Sequence, residues 1–146
     1  MIPDFAADGN LPPGIHWATW EEFCNRFATS LWRRCLLFGL RAAVESLRNA
    51  GCQTVYVDGS FVTAKTEPND FDVCWDEKGV DFNKLDPILL NFDAKRAVQK
   101  AKFGGEFFPA GWLAGIGDRA FLDFFQTDKE TGVQKGIVAL DLGGLQ

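Results

Sequence analysis

The chain has 146 residues, a length that suits one domain around one core. Hydrophobic residues make up 47% of it, with 14 Phe and 5 Trp, which excludes a disordered chain. The 15 basic and 20 acidic residues leave a net charge of −5, so the surface as a whole has no general attraction for nucleic acid.

The four cysteines, Cys24, Cys35, Cys52 and Cys74, form no C-x-x-C pair, and His16 is the only histidine. Their spacing therefore offers no Cys/His zinc site, and Cys52 and Cys74, beside expected strands, are expected to be buried thiols in a reducing compartment. The N-terminus lacks a basic region followed by an apolar run, and every apolar stretch is interrupted well before membrane-spanning length. A cytoplasmic protein without a membrane partner is expected.

Residues 1–18 hold Pro3, Gly9, Pro12, Pro13 and Gly14 and read as an extended lead-in, with a single domain over 19–146. His16 and Trp17 are expected to pack over its edge. Thr19-Trp20-Glu21-Glu22 spells a capping box, in which Thr19 caps and Glu22 returns the bond. A short helix follows, then a bend at 28–30. A longer helix runs to about Asn49, with Leu36, Leu40, Ala43, Val44 and Leu47 as its apolar stripe and Gly51 as its stop. Arg26, Arg33, Arg34, Arg41 and Arg48 make these helices basic: either a solvated face or, for Arg33, Arg34 or Arg41, a contribution to the cleft considered next.

Val55–Val73, VYVDGSFVTAKTEPNDFDV, carries the chemistry. It reads as a strand (54–58), a Gly59-Ser60 turn, a connector over 61–69 and a second strand (71–75). Asp58 reads as a capping residue. Asp70 and Asp72 are i and i+2, so both carboxylates leave the strand on one face. Like charges this close repel unless a cation lies between them. The Gly59-Ser60 turn offers backbone N–H groups and a hydroxyl suited to phosphate oxygens. Lys65 in the connector is either a solvated lysine or a point charge for phosphate.

Further on, Asp86 caps a turn that has Pro87 at its first position. Residues 93–103 form an amphipathic basic segment with Lys95, Arg96, Lys100 and Lys102. Gly104-Gly105 opens a loop through Gly117, in which Phe107, Phe108 and Trp112 are expected to close the core. Segments 120–126 and 136–142 read as a terminal hairpin joined by a polar turn. Period two then sets Asp123 on one face with Phe121 and Phe125, a costly place for a carboxylate unless it is paired or ligated.

The arrangement apolar strand, Gly59-Ser60, connector, Asp70-Phe71-Asp72 resembles the signature of the polymerase-beta-like nucleotidyltransferase superfamily. The resemblance implies an α+β fold, the minimal nucleotidyltransferase fold, with a small mixed β-sheet backed by helices. It implies that Asp70, Asp72 and Asp123 hold Mg2+ or Mn2+ and form the catalytic set. It also implies that Gly59 and Ser60, with Lys65 as a further candidate, bind a nucleoside triphosphate such as ATP. The reaction would transfer a nucleoside monophosphate to an RNA, protein or small-molecule acceptor. The whole chain is also similar to a small bacterial and phage family with this domain and no assigned reaction, through LPPGIHWATWEEF, GSFVTAKTEPNDFDVCW, GGEFFPA and TGVQKGI.

Two departures bear on function. Antitoxin-like minimal members carry Gly-Ser-x-Ala-Arg-Gly, whereas this chain has GSFVTAK and lacks that arginine. The chain is also short, leaving little room for the separate acceptor-binding domain that larger members possess. Two alternatives therefore stand beside the enzyme. One is a regulatory, antitoxin-like protein that pairs with a toxin. The other is an RNA-binding module using Arg33, Arg34, Lys95, Arg96, Lys100 and Lys102.

Overall fold

The computed structural model describes residues 1–115 and 119–145, and the architecture is α+β: a small mixed five-stranded sheet backed by helices. Gly117, where the expected loop ends, and Gln146, the end of the expected domain, lie outside the described residues. Among the described residues no helix is long and apolar enough to cross a membrane.

The N-terminal helices form as their local signals dictate. In α1 (Trp20–Phe27) both capping-box bonds are present between Thr19 and Glu22, and Phe23 and Phe27 are buried. Ser30 caps α2 (Leu31–Asn49), which sends Leu40, Ala43, Val44 and Leu47 into the core. The chain turns back through Gly51, whose φ of +99° explains the glycine, into β2 (Thr54–Asp58). A 3-10 turn at Ser60–Val62 leads into the connector and then β3 (Phe71–Trp75). Asp86 caps a second 3-10 turn at Pro87–Leu90, with Pro87 where the sequence puts it.

Three expectations are corrected. The supposed lead-in contributes β1 (Gly14–Ala18), which pairs parallel with β5 (Gly136–Asp141) over its whole length. Prolines and glycines on its N-terminal side disguise it, and the strand is only five residues long. The supposed loop after Gly104 begins with β4 (Gly105–Pro109), parallel to β3. Gly105 is there for close packing and not for a loop, since a Cβ would stand 2.4 Å from the Phe71 ring. The first arm of the supposed hairpin is a short helix, α4 (Phe121–Phe125), and β5 pairs with β1 and β2 instead. The aromatic spacing in Phe121-Leu122-Asp123-Phe124-Phe125 satisfies a helical turn as well as a strand, and tertiary packing decides.

The strand order is β1-β5-β2-β3-β4. Val55, Val57, Phe71, Val73, Trp75 and Phe107 point from the sheet into the main core beneath α1 and α2. The opposite face is only partly covered: Phe121 and Phe125 of α4 pack there on Phe108, Cys74 and Ile137. The uncovered end of that face holds the site.

At the sheet's outer edge, α3 (Asp93–Phe103) supplies a substitute strand. Buried Gln99 donates to the Phe107 carbonyl (3.2 Å) and accepts from the Phe107 N–H (2.8 Å), as a neighbouring peptide would. It also donates to the Ile88 carbonyl at 3.2 Å. Gln99→Leu keeps the volume but strands these groups in the interior. An unpaired buried polar group costs about 1–3 kcal/mol, so a loss of roughly 2–4 kcal/mol is expected in urea denaturation. An unchanged midpoint would show that the edge is satisfied in another way.

Candidate functional site

Strand register, more than local sequence, builds the site. Asp58 of β2 pairs with Asp72 of β3, and Asp72 pairs with Glu106 of β4. Pleating alternates faces, so with Val57, Val73 and Phe107 in the main core the three carboxylates stand in a row on the other face. Asp70, two residues before Asp72, joins them. Oxygens of Asp70, Asp72 and Glu106 all lie within 4.8 Å of one another. They open into a cleft of about 860 Å³.

The turn before the connector is packed hard against this row. Gly59 has φ +89°, and a Cβ there would stand 3.0 Å from the Asp72 nitrogen, so only glycine brings the turn so near. The Ser60 hydroxyl donates to the Asp70 carbonyl (3.3 Å) and accepts from the Asn69 N–H (3.2 Å), drawing the two ends of the connector together. Both Gly59 and Ser60 line the cleft.

Cations hold the ends of the row and leave its middle bare. Lys135 contacts Asp58 at 2.9 Å. Arg96 and Lys100 contact Glu106 at 3.2 and 2.9 Å. Among the described residues, no ion pair or hydrogen bond reaches the carboxylates of Asp70 or Asp72. Burial, the nearby Asp70 carboxylate, and then Glu106 and Asp58 push the Asp72 carboxyl up to about 7. Burial and then Glu106 raise Asp70 as well. Asp58 is also raised, by burial that outweighs its lysine. A cluster of hard carboxylate oxygens with excess negative charge matches the donor chemistry of Mg2+ or Mn2+. Asp70, Asp72 and Glu106 are the residues that fit such an ion.

The chain belongs to the Family of unknown function (DUF6932), which it matches over residues 3–141. No curated protein and no solved structure matches it. The family's match runs from before β1 into the last residue of β5, so it takes in the whole sheet and every carboxylate of the row.

The structure brings Asp70, Asp72, Gly59 and Ser60 together as the sequence led us to expect. It does not bring Asp123. That residue lies on α4, exposed and away from the cleft lining, and Glu106 occupies the third acidic position. The reason is the helical turn described above, which directs Phe121 and Phe125 to the sheet and Asp123 outward. Lys65 is exposed in the connector and is not among the residues lining the cleft. Its backbone carbonyl accepts from Arg33 at 2.6 Å.

Arg33 is neither solvated nor directed at the carboxylates. It is buried and donates to the carbonyls of Phe27, Phe61, Thr63 and Lys65, thereby setting the shape of the connector from within. Arg41 contacts Glu45 at 2.8 Å and lies over the Trp20 ring. Sequence reasoning missed Glu106, Lys135 and the cleft role of Asp58. The one local trace of Glu106 is its position two residues before Phe108, on a strand masked by Gly104-Gly105. Arg96 reaches Glu106 from a left-handed turn, in which Ala94, Lys95 and Arg96 have φ of 50°, 56° and 63°. Such a conformation costs a residue with a Cβ about 1–2 kcal/mol.

Proposed function

We propose that this chain is a metal-dependent nucleotidyltransferase of the polymerase-beta-like superfamily, with Asp70, Asp72 and Glu106 as the metal-holding set. The observation that carries this reading is the meeting of those three carboxylates beside the Gly59-Ser60 turn in one cleft. Two acids from the strand after a Gly-Ser turn and a third from a later strand is the superfamily's arrangement, with Glu106 in the place expected of Asp123.

A divalent ion held there would polarise the phosphates and ease loss of the proton from the acceptor hydroxyl. The chain's own groups do the rest. The Gly59-Ser60 turn at the rim would meet the distal phosphates, with the Ser60 O–H turning from the Asp70 carbonyl to a phosphate oxygen, and Lys129, Lys135 and Arg96 line the cleft as compensating cations. Phe108, Phe121 and Phe124 form an apolar wall in the same cleft, suited to the flat face of a nucleobase. The acceptor oxygen attacks the alpha phosphorus, and pyrophosphate leaves.

The test is labelled nucleotide incorporation into a cellular RNA and protein extract, using each triphosphate with magnesium. Wild type is expected to transfer label, and Asp70→Asn and Glu106→Gln are expected to transfer none while keeping their circular dichroism spectra. Equal incorporation by wild type and Asp70→Asn would defeat the assignment. Calorimetry with magnesium and triphosphate, in the absence of any acceptor, tests the binding half: no heat of binding by wild type would also defeat it.

A further inference from the structure

Asp58, Asp70, Asp72 and Glu106 all line the cleft, yet only three of these carboxylates have an oxygen to spare. Arg96 and Lys100 both contact Oε1 of Glu106, which leaves its Oε2 without an ion pair or hydrogen bond among the described residues. The carboxylates of Asp70 and Asp72 are likewise bare. Asp58 differs. The Lys135 ammonium contacts its Oδ1 at 2.9 Å and its Oδ2 at 3.1 Å, and the Asp58 side chain is only 6% exposed.

This pair is built to stay closed. Lys135 immediately precedes β5, and the backbone holds it on both sides: its N–H donates to the Gln126 carbonyl at 2.8 Å, and the Gly136 N–H donates to the Leu11 carbonyl at 3.0 Å. An ion seeking Asp58 would have to displace the lysine, and separating such a pair leaves an uncompensated charge in the interior. The register sets Asp58 on one side of Asp72 and Glu106 on the other. Lys135 also offsets part of the repulsion felt by Asp72. Two-metal sites for phosphoryl transfer place their ions about 3.5–4 Å apart. In this row, the carboxylate free to be shared between two such ions is Asp72, and the second ion would need Asp58.

We propose that Lys135 takes the place of a second divalent ion. The cleft holds one ion, on Asp70, Asp72 and Glu106, and the ammonium supplies the other positive charge at the Asp58 end. The proposal rests on the metal-dependent reading given above and adds the number of ions to it. An ammonium has three N–H donors. Asp58 offers partners for two of them, and the third is left for a phosphate oxygen. A purely structural pair, tying the segment before β5 to β2, has a different consequence: loss of the lysine would lower stability and leave the ion count alone.

The experiment counts Mn2+ on the full chain without nucleotide, by equilibrium dialysis and by electron paramagnetic resonance. Wild type is expected to bind one ion with the signal of an isolated centre. Lys135→Met keeps the stem and removes the charge, and it should bind two ions that are spin-coupled and therefore close together. Lys135→Gln can still donate a hydrogen bond to Asp58, which guards against misfolding, and it should bind two ions as well. Adding Asp58→Asn to either variant should return the count to one. Circular dichroism identifies the folded variants. Two coupled ions on wild type, or a single ion on the folded Lys135 variants, would overturn the role of Lys135 while leaving the three-carboxylate site in place. No ion on wild type would overturn both.

Discussion

Replacing Asp72 with Asn is expected to make the metal-free protein more stable at neutral and alkaline pH, while removing its response to magnesium. In the wild type the Asp72 carboxyl titrates near 7, against an ordinary value close to 4 in the unfolded chain. Between those values the native state binds a proton that the unfolded state has released, so stability falls as pH rises through this window. Three pH units correspond to roughly 4 kcal/mol, and Asp72→Asn should recover much of that above pH 7. Below about pH 4 both states are protonated, and wild type and variant should have nearly equal melting temperatures. On the proposed reading magnesium binds the native cluster in preference to the unfolded chain, so it should raise the wild-type melting temperature at pH 8 and leave the variant unmoved. Thermal melts across pH, with EDTA and with magnesium, check all three statements. A wild type whose stability is flat from pH 4 to 8 would mean that Asp72 carries no unfavourable charge.

Arg33→Met should have an effect of similar size and opposite sign. The substitution keeps an apolar stem of comparable length but withdraws the donors from the carbonyls of Phe27, Phe61, Thr63 and Lys65. Leaving buried carbonyls unpaired costs about 1–3 kcal/mol each. Water can reach the outer pair, at Thr63 and Lys65, so a net loss of roughly 3–5 kcal/mol is expected. The connector also fixes the relation between Ser60 and Asp70, so magnesium affinity should fall with stability. Asp72→Asn, by contrast, should separate the two. Chemical denaturation and calorimetry on both variants provide the comparison. Full magnesium affinity in a destabilised Arg33→Met would show that the connector's shape does not matter to the carboxylates.

Features governed by neighbours along the chain were legible in the sequence. The Thr19–Glu22 box, the stripe of α2, the Asp86-Pro87 turn and the same-face pair Asp70 and Asp72 depend on separations of a few residues. Features governed by register were hidden. Glu106 meets Asp72 because β4 lies parallel to β3 in one alignment, and nothing near Glu106 records that alignment. Asp58 looked like a capping residue until Lys135 arrived from the segment before β5. Asp123 failed for another reason: five residues with three aromatics fit a helical turn and a strand equally well, and the burial of Phe125 against Phe108 settles the matter. The same ambiguity explains why Asp123 was expected where the structure has Glu106.

The pairing of β1 with β5 has a consequence in time. Gly14 aligns with Gly136, so β1 must wait during synthesis for a strand made after β2, β3 and β4. Until β5 emerges, β2 also lacks its neighbour on that side, and the sheet cannot grow past β2, β3 and β4. Closing so long a loop is a slow step by its entropy. On the ribosome the chain should pass through a stage in which α1, α2 and the three strands that bear the carboxylates have collapsed while an unpaired edge of β2 stays open. That edge is where a chaperone would engage the nascent chain, and where premature association between neighbouring chains would begin.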